Sequence, residues 1–340
     1  MKILVTGGTG YIGSHTVVEL QARGFDVVVV DSLFNSYLSV LDQIEKISGI
    51  KPDFEQFDLA DVAKTKDFFK RNQDIVGIIH FAAHKAVGES VDNPVMYYQN
   101  NLFSLINILE NMQEYGINNL VFSSSCTVYG QPEELPVSEK APMQKALSPY
   151  GNTKQISEDI IQDTAKVSNV NAVMLRYFNP IGAHESAFIG ELPLGVPNNL
   201  VPFITQTAIG IREQLSVFGD DYNTPDGTAI RDYIHVVDLA KAHVKAVNRM
   251  IESKQKKNVE IFNLGTGNGF SVLEVIKSLE RVANVKLNYK IVDRREGDVE
   301  AVYADTKFAN DELGWKAEKT LDEMMASAWK WEKALANNKK

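Results

Sequence analysis

Ile3-Leu4-Val5-Thr6-Gly7-Gly8-Thr9-Gly10-Tyr11-Ile12-Gly13 lies at the very start of the chain, and its reading decides the fold. An aliphatic run passes through glycines 7, 10 and 13 into an amphipathic stretch, Tyr11–Arg23. This spacing suits a strand-turn-helix that grips a dinucleotide. One glycine permits the tight turn, one lets a pyrophosphate approach the backbone, and the last lets helix and strand pack closely. The helix start adds unpaired N–H groups and about half a positive charge. A glycine triplet alone is weak, but a second strand, Val27–Asp31, ends in a carboxylate at the spacing the motif requires, about 20 residues on. Asp31 there suits the adenosine ribose hydroxyls and repels a 2′-phosphate. No Arg or Lys follows it directly, so NAD is favoured over NADP.

Outward from this turn, apolar runs alternate with helix-length segments. Further strands are expected at Asp53–Phe57, Ile75–Phe81, Asn119–Ser123 and Ala172–Tyr177, with amphipathic helices at Val62–Arg71, Asn100–Tyr115 and Tyr150–Lys166. The cores Val27–Val30 and Ile75–Ile79 are nearly continuous β-branched runs, as when both sheet faces are covered. The alternation predicts an α/β fold, a Rossmann-type doubly wound parallel sheet. From Asn179 to about Asp232 the chain is rich in Pro, Gly and Asn and reads as site-lining loops. A helix-like run (Val236–Met250) and a strand-like run (Glu260–Leu264) are expected to return to the main sheet. The predicted division is a dinucleotide domain, 1–178 completed by 232–264, and a smaller mixed α/β lobe, 179–231 with 265–340. The end, Asn337–Lys340, reads as a solvated tail.

With 35 Lys and Arg against 44 Asp and Glu among 340 residues, the net charge is −9. That argues against coating nucleic acid, so a bound anion must be held locally by helix termini or placed arginines. One cysteine, Cys126, rules out an internal disulfide framework and a Cys-based zinc cluster. The six histidines show no metal-binding spacing, and no metal is expected. No export signal or membrane-length apolar run appears, so a cytoplasmic protein is expected.

Ser148-Pro149 is a helix start, Ser as N-cap and Pro at the first position. Tyr150 and Lys154 follow, four apart on one face. A phenol with a pKa of about 10 is a poor base, but an ammonium one turn away and a cationic nicotinamide would bring it down. Taken alone the pair reads better as an exposed helix face. However, the strand Leu120–Phe122 ends in Ser123-Ser124-Ser125 at the carboxyl edge of the sheet, where doubly wound folds bind ligands. A serine there can share a proton with Tyr150.

In this order the glycine turn, Ser125, Tyr150 and Lys154 resemble the short-chain dehydrogenase/reductase superfamily, and the length and second lobe its extended branch. Longer strings resemble the UDP-glucose 4-epimerase family. They are Val5–Thr16, His80–Ser90, Tyr97–Asn101, Phe122–Gly130, Leu175–His184, Asp226–Thr228, Arg231–Val236 and Arg294–Asp298. The resemblance covers essentially the whole chain. It implies NAD held through turnover, a UDP-hexose substrate oxidised and re-reduced at C4, and a homodimer packed through two helices per subunit, 150–166 among them. No nucleic acid or membrane partner is implied. Catalysis falls to Tyr150, Lys154 and Ser125.

The family's cofactor contacts map onto Gly7, Gly10, Tyr11, Ile12, Gly13, Asp31, Asn35, Ser36, Asp58, Leu59, Phe81, Ala82, Lys85, Asn100, Tyr150, Lys154 and Phe178. Its substrate contacts map onto Ser125, Tyr150, Asn179, Asn199, Leu200, Phe218, Arg231, Arg295, Asp298 and Val302. Without the resemblance, Ile12, Leu59, Phe81 and Phe178 read as core. Arg231 beside Asp232, and Arg295 near Glu296, then read as surface ion pairs worth about 0–1 kcal/mol each. Val302 stands where family members restricted to plain hexoses carry a tyrosine, which implies that N-acetylated UDP-sugars are also accepted. Nucleotide-sugar 4,6-dehydratases share fold, cofactor and Tyr-Lys pair, but carry Asp-Glu just before Val-Tyr-Gly. Here that place holds Cys126-Thr127. A UDP-uronate decarboxylase and a non-enzymatic NAD-binding scaffold fit the pattern less well, whereas a net alcohol dehydrogenase differs in exchanging NAD with solvent every cycle, which sequence does not show.

Overall fold

The computed structural model describes residues 1–295 and 298–338. Its strands are β1 (Lys2–Thr6), β2 (Asp26–Asp31), β3 (Asp53–Gln56), β4 (Ile75–His80), β5 (Asn119–Ser125), β6 (Asn171–Tyr177), β7 (Asn179–Ile181), β8 (Leu215–Phe218), β9 (Ile230–His235), β10 (Val259–Leu264), β11 (Gly269–Ser271), β12 (Tyr289–Val292) and β13 (Ala301–Val302). Its α-helices are α1 (Tyr11–Gln21), α2 (Val40–Ser48), α3 (Val62–Arg71), α4 (Val87–Asp92), α5 (Pro94–Tyr115), α6 (Pro149–Val167), α7 (Leu200–Ala208), α8 (Val236–Ile251), α9 (Val272–Ala283) and α10 (Leu321–Asn338).

Seven strands form one parallel sheet in the order β10-β6-β5-β4-β1-β2-β3. Strand alternation sorts the sheet's side chains to two faces. Ile3, Val5, Val27, Val29 and Ile79 meet α1, α2 and α8 through Val17, Leu20, Ile44, Leu239 and Val247. Leu4, Val28, Val30, Ile78 and Leu120 meet α3, α5 and α6 through Phe68, Leu105, Ile108 and Ile161. Each such side chain, taken fully out of water, contributes about 1.5–3 kcal/mol. Burial on both faces is why these strands carry no polar alternation. From β1 the chain builds outward to β2 and β3, then returns to the other side of β1 for β4, β5 and β6. The carboxyl ends of β1 and β4 therefore flank a crevice where the strand order reverses, the ligand position of doubly wound sheets.

The second core joins Ile181, Val201, Ile204, Val217, Tyr233, Val275, Leu279, Met324 and Met325. These come from β7, α7, β8, β9, α9 and α10. β9 pairs with β7, β11 and β13, and β8 with β12. α9 starts on a capping box between Ser271 and Glu274.

Several expectations need correction. The helix expected from Asn100 begins at Pro94, with proline in the first turn. The segment expected to be loops, 179–232, also holds β7, α7, β8 and the start of β9. Its strands are only three to six residues long, too short to show a period. α10 runs through Asn338, so the tail expected from Asn337 is helical at its first two residues; 339–340 lie outside the described residues. No helix among the described residues is long and apolar enough to cross a membrane.

Candidate active site

The glycine turn is built by steric exclusion. Gly7 has φ +70°, and a Cβ there would stand 2.8 Å from Ala82 N. A Cβ on Gly13 would stand 2.2 Å from Gly7 O, so this glycine sets how closely α1 approaches the turn. Gly8, unassigned in the sequence reading, fits only as glycine because a Cβ would lie 2.7 Å from Val29 Cγ1. Gly10 is the N-cap of α1 and offers no side-chain cap, and the first turn holds no acid, which leaves its N–H groups for a ligand.

At the end of β2, Asp31 accepts from Thr9 N (3.2 Å), Leu33 N (2.9 Å) and Ser36 Oγ (3.2 Å). Thr9 Oγ1 also meets Ser36 Oγ at 2.7 Å, which ties the loop carrying Asn35 and Ser36 to the glycine turn. Leu33 takes φ 61°, a strained conformation for a branched residue. A cleft of about 830 Å³ opens above the crevice. Sixteen of the seventeen residues mapped to the cofactor line it: the three glycines, Tyr11, Ile12, Asp31, Asn35, Ser36, Asp58, Leu59, Phe81, Ala82, Lys85, Asn100, Tyr150 and Lys154. Phe178 does not. It is buried behind, against Tyr129, Val137 and Val302.

Ser148 caps α6 through Gly151 N at 3.1 Å, with Pro149 next. The helix then turns Tyr150 and Lys154 towards β5. Lys154 Nζ donates to Ser123 O at 2.7 Å, 4.8 Å from the Phe122 ring centre and 5.9 Å from that of Tyr150. Burial lowers Lys154 to about 8, opposed by the charge of Glu158. Burial also drives the Tyr150 phenol well above its ordinary value, and nearby Tyr177 adds to this while the Ser125 hydroxyl works against it. Burial among the chain's own groups thus opposes the lowering expected of Tyr150, which rests on the Lys154 ammonium acting together with a bound nicotinamide cation. Ser125 Oγ accepts from Thr127 N at 3.2 Å and starts the short 3₁₀ turn Cys126–Tyr129. Cys126 is a free thiol that burial pushes up to about 12.

The residues mapped to substrate are more dispersed. Asn199, the N-cap of α7, lines the cleft, and Leu200 begins that helix. Asn179 opens β7 opposite Tyr233 of β9. Arg231 pairs with Asp298, not with Asp232. Asp232 is instead caught by Thr266 N, Thr266 Oγ1, Gly267 N and Ala304 N. The Arg295 guanidinium stacks 4.7 Å from the centre of Phe218; Glu296, its expected partner, lies outside the described residues. Val302 is buried across from Arg231 in the β13–β9 ladder. The sequence reading missed Glu191. It accepts from Asn199 Nδ2 at 2.5 Å, lies 3.7 Å from Lys85 Nζ, and so joins a cofactor-side to a substrate-side residue. It also missed Tyr177, which lines the cleft and accepts from Ser123 Oγ at 3.0 Å. Nothing in their spacing marks either one. Among the described residues no three His, Cys, Asp or Glu side chains gather as a metal set.

A Tyr and a Lys one turn apart, turned towards the end of a central strand beside the glycine crevice, are the mark of the short-chain dehydrogenases/reductases, and the second lobe is that of their extended branch. A family model described as GDP-mannose 4,6 dehydratase matches residues 4–328. The mouse UDP-glucose 4-epimerase is 49% identical over 98% of this chain and 96% of its own. The UDP-glucose 4-epimerase of Stenotrophomonas maltophila, solved with NAD and formylated UDP-arabinopyranose, superposes with a TM-score of 0.96 at 46% identity, covering 99% of each chain. The UDP-Glc/GlcNAc 4-epimerase of Campylobacter jejuni gives 0.84 at 34% identity, covering 98% of this chain and 99% of its own. The chain belongs to the UDP-glucose 4-epimerase family.

Proposed function

We propose that this protein interconverts UDP-glucose and UDP-galactose by inverting C4 through a transient 4-keto sugar, with NAD held in the cleft. The observation that carries the reading is the joint placement of Tyr150 and Lys154 in the wall of the glycine-turn cleft. The cleft fits a dinucleotide: the turn packs so closely at Gly7 and Gly13 that neither admits a Cβ, the first turn of α1 keeps its N–H groups free of side-chain caps, and Asp31 stands at the ribose end. Bound there, NAD supplies a hydride acceptor carrying positive charge.

Each residue then has a task. Tyr150 takes the proton of the sugar 4-hydroxyl and later returns one, with Ser125 sharing it. Lys154 holds the nicotinamide ribose and, as an ammonium, favours the phenolate. Arg231 exchanges Asp298 for diphosphate oxygens, and Arg295, flat on Phe218, offers its planar donors to the same group. With the UDP handle clamped, the keto-hexose must turn over in a pocket loose enough to accept both faces. Residues 1–178 with 232–264 hold the dinucleotide in this reading, and 179–231 with 265–340 hold the UDP-sugar.

Val302 supports an extension to N-acetylated UDP-sugars. It packs with Phe178 and Cys126, and its side chain is smaller than the tyrosine that hexose-restricted family members carry there. The Campylobacter relative is itself a UDP-Glc/GlcNAc epimerase. Exposed Val87, Val91, Val95 and Phe103 along α4 and α5 support a homodimer. The single free cysteine fits a cytoplasmic setting.

The test is to incubate the purified protein with UDP-galactose, without added NAD, and to measure UDP-glucose. Product is expected from wild type, and Tyr150→Phe should lower the rate by about 10²–10⁴-fold. An undiminished rate in that variant would remove the proposed chemistry.

A further inference from the structure

Three consecutive residues of β5 engage three residues spaced one turn apart on α6. Ser125 acts on Tyr150, Ser123 O accepts from Lys154, and Ser124 Oγ donates to Glu158 Oε1 at 2.5 Å. The first two pairs belong to the chemistry above; Glu158 has no part in it. Its carboxylate is fully buried and takes two further bonds from Arg176, Nε at 2.9 Å and Nη2 at 2.5 Å. Arg176 Nη1 donates to Tyr129 OH at 2.9 Å, and that hydroxyl donates to Asn263 Oδ1 at 2.6 Å. A buried ion pair adds little net stability over apolar packing of the same shape. Its geometry calls for another use.

The charge on Lys154 supplies one. Lys154 touches a carbonyl oxygen and an aromatic face, and among the described residues no carboxylate bonds it directly. From β4 it faces His80, which burial holds at about 3 and therefore neutral. Tyr177 from β6 and Tyr97 from α5 stand around Tyr150, and burial pushes both phenols up. From α6 come Tyr150 itself and Glu158. Among the described residues, Glu158 is the carboxylate whose charge offsets the burial of this ammonium.

We propose that Glu158, clamped between Ser124 and Arg176, is a positioning residue that keeps Lys154 an ammonium within the buried cleft wall; this rests on reading Lys154 as the cation of the epimerase site. The clamp matters because a carboxylate free to swing would bond Lys154 directly and draw it away from the cleft.

The test follows the Lys154 amine by nitrogen NMR against pH in the NAD-loaded protein, with the pH profile of kcat measured in parallel. In Glu158→Gln, the Lys154 midpoint should fall by about one pH unit, with kcat down about tenfold on the alkaline side. Glu158→Asp, which keeps the charge one methylene further back, should fall between. Glu158→Gln leaves Arg176 buried and unpaired, so Glu158→Gln/Arg176→Leu is made beside it. The double variant should regain the melting temperature while the midpoint stays low. An unmoved midpoint in Glu158→Gln, or a double variant that recovers both properties, would overturn the role. A wild-type protein that titrates as described but forms no UDP-glucose would instead sink the epimerase reading.

Discussion

Gly13→Ala tests the cofactor cradle at its tightest contact. The added Cβ would lie 2.2 Å from Gly7 O and 2.8 Å from Gly8 Cα, where real Cβ contacts essentially never fall below 3.0 Å. Both neighbours are backbone, so no rotamer change relieves the clash, and α1 must withdraw by about an ångström. Two terms oppose one another. Alanine favours a helix over glycine by about 0.5–1 kcal/mol, while overpacking a close contact costs about 1–3 kcal/mol. A 2.2 Å contact with backbone puts the cost in the upper half of that range, so the net is a loss of about 1–2.5 kcal/mol, and the same withdrawal pulls the first-turn N–H groups of α1 off the pyrophosphate. NAD affinity should then fall about tenfold or more, each tenfold being about 1.4 kcal/mol. Calorimetric titration of the stripped protein with NAD and thermal melting read the two effects. Gly88→Ala is the control, since a Cβ there meets nothing within 4 Å and α4 should gain slightly in stability. If Gly13→Ala binds NAD and melts as wild type does, the tight-packing account of the turn is wrong.

Arg231→Lys keeps the charge but loses the planar pair of donors, so KM for the UDP-sugar should rise about 10–100-fold with kcat changed far less; an unchanged KM would place Arg231 outside the diphosphate site. Val302→Tyr should abolish turnover of UDP-GlcNAc while sparing UDP-glucose, and wild-type UDP-GlcNAc turnover below about a thousandth of that of UDP-glucose would end the broader specificity. Burial lowers His15 and His80 to about 3 and His235 and His243 to about 4. Each sits below its unfolded value, so the unfolded chain takes up protons first. Stability should be complete above about pH 6.5 and be lost on acidification at about 1.4 kcal/mol per pH unit per histidine. A melting temperature that is flat from about pH 7 to about pH 5 would contradict those burials.

The sequence announced the main sheet because its strands are covered on both faces and carry nearly continuous aliphatic runs, Val27–Val30 and Ile75–Ile79 above all. The cap at Ser148 and the glycine turn were legible because each rests on a local steric rule. The second lobe was not, since its short strands show no period and α7 starts at Asn199 without a side-chain cap. Within the site, sequence order placed Tyr150 beside Lys154 but could not show how dry the phenol is. Burial sums contributions from β5, β6 and α5, far apart along the chain. Glu191 and Arg176 were invisible for the same reason: their partners lie at Lys85, Asn199 and Glu158, and no spacing encodes those meetings. The bland reading of Arg231 as a surface pair chose the wrong partner, because Asp232 lies on the opposite face of the same strand and serves the loop at Thr266.

The edge strand β10 and the covering helix α8 are delivered late. The dinucleotide sheet accepts its seventh member only after the chain has left to lay down β7, α7, β8 and β9, and the other lobe then waits for α9 and α10. During synthesis on a ribosome, neither core can therefore seal before the exit tunnel has released most of the polypeptide. Until then β6 shows an unpaired backbone edge, and chaperones that shield such edges have a defined interval in which to act.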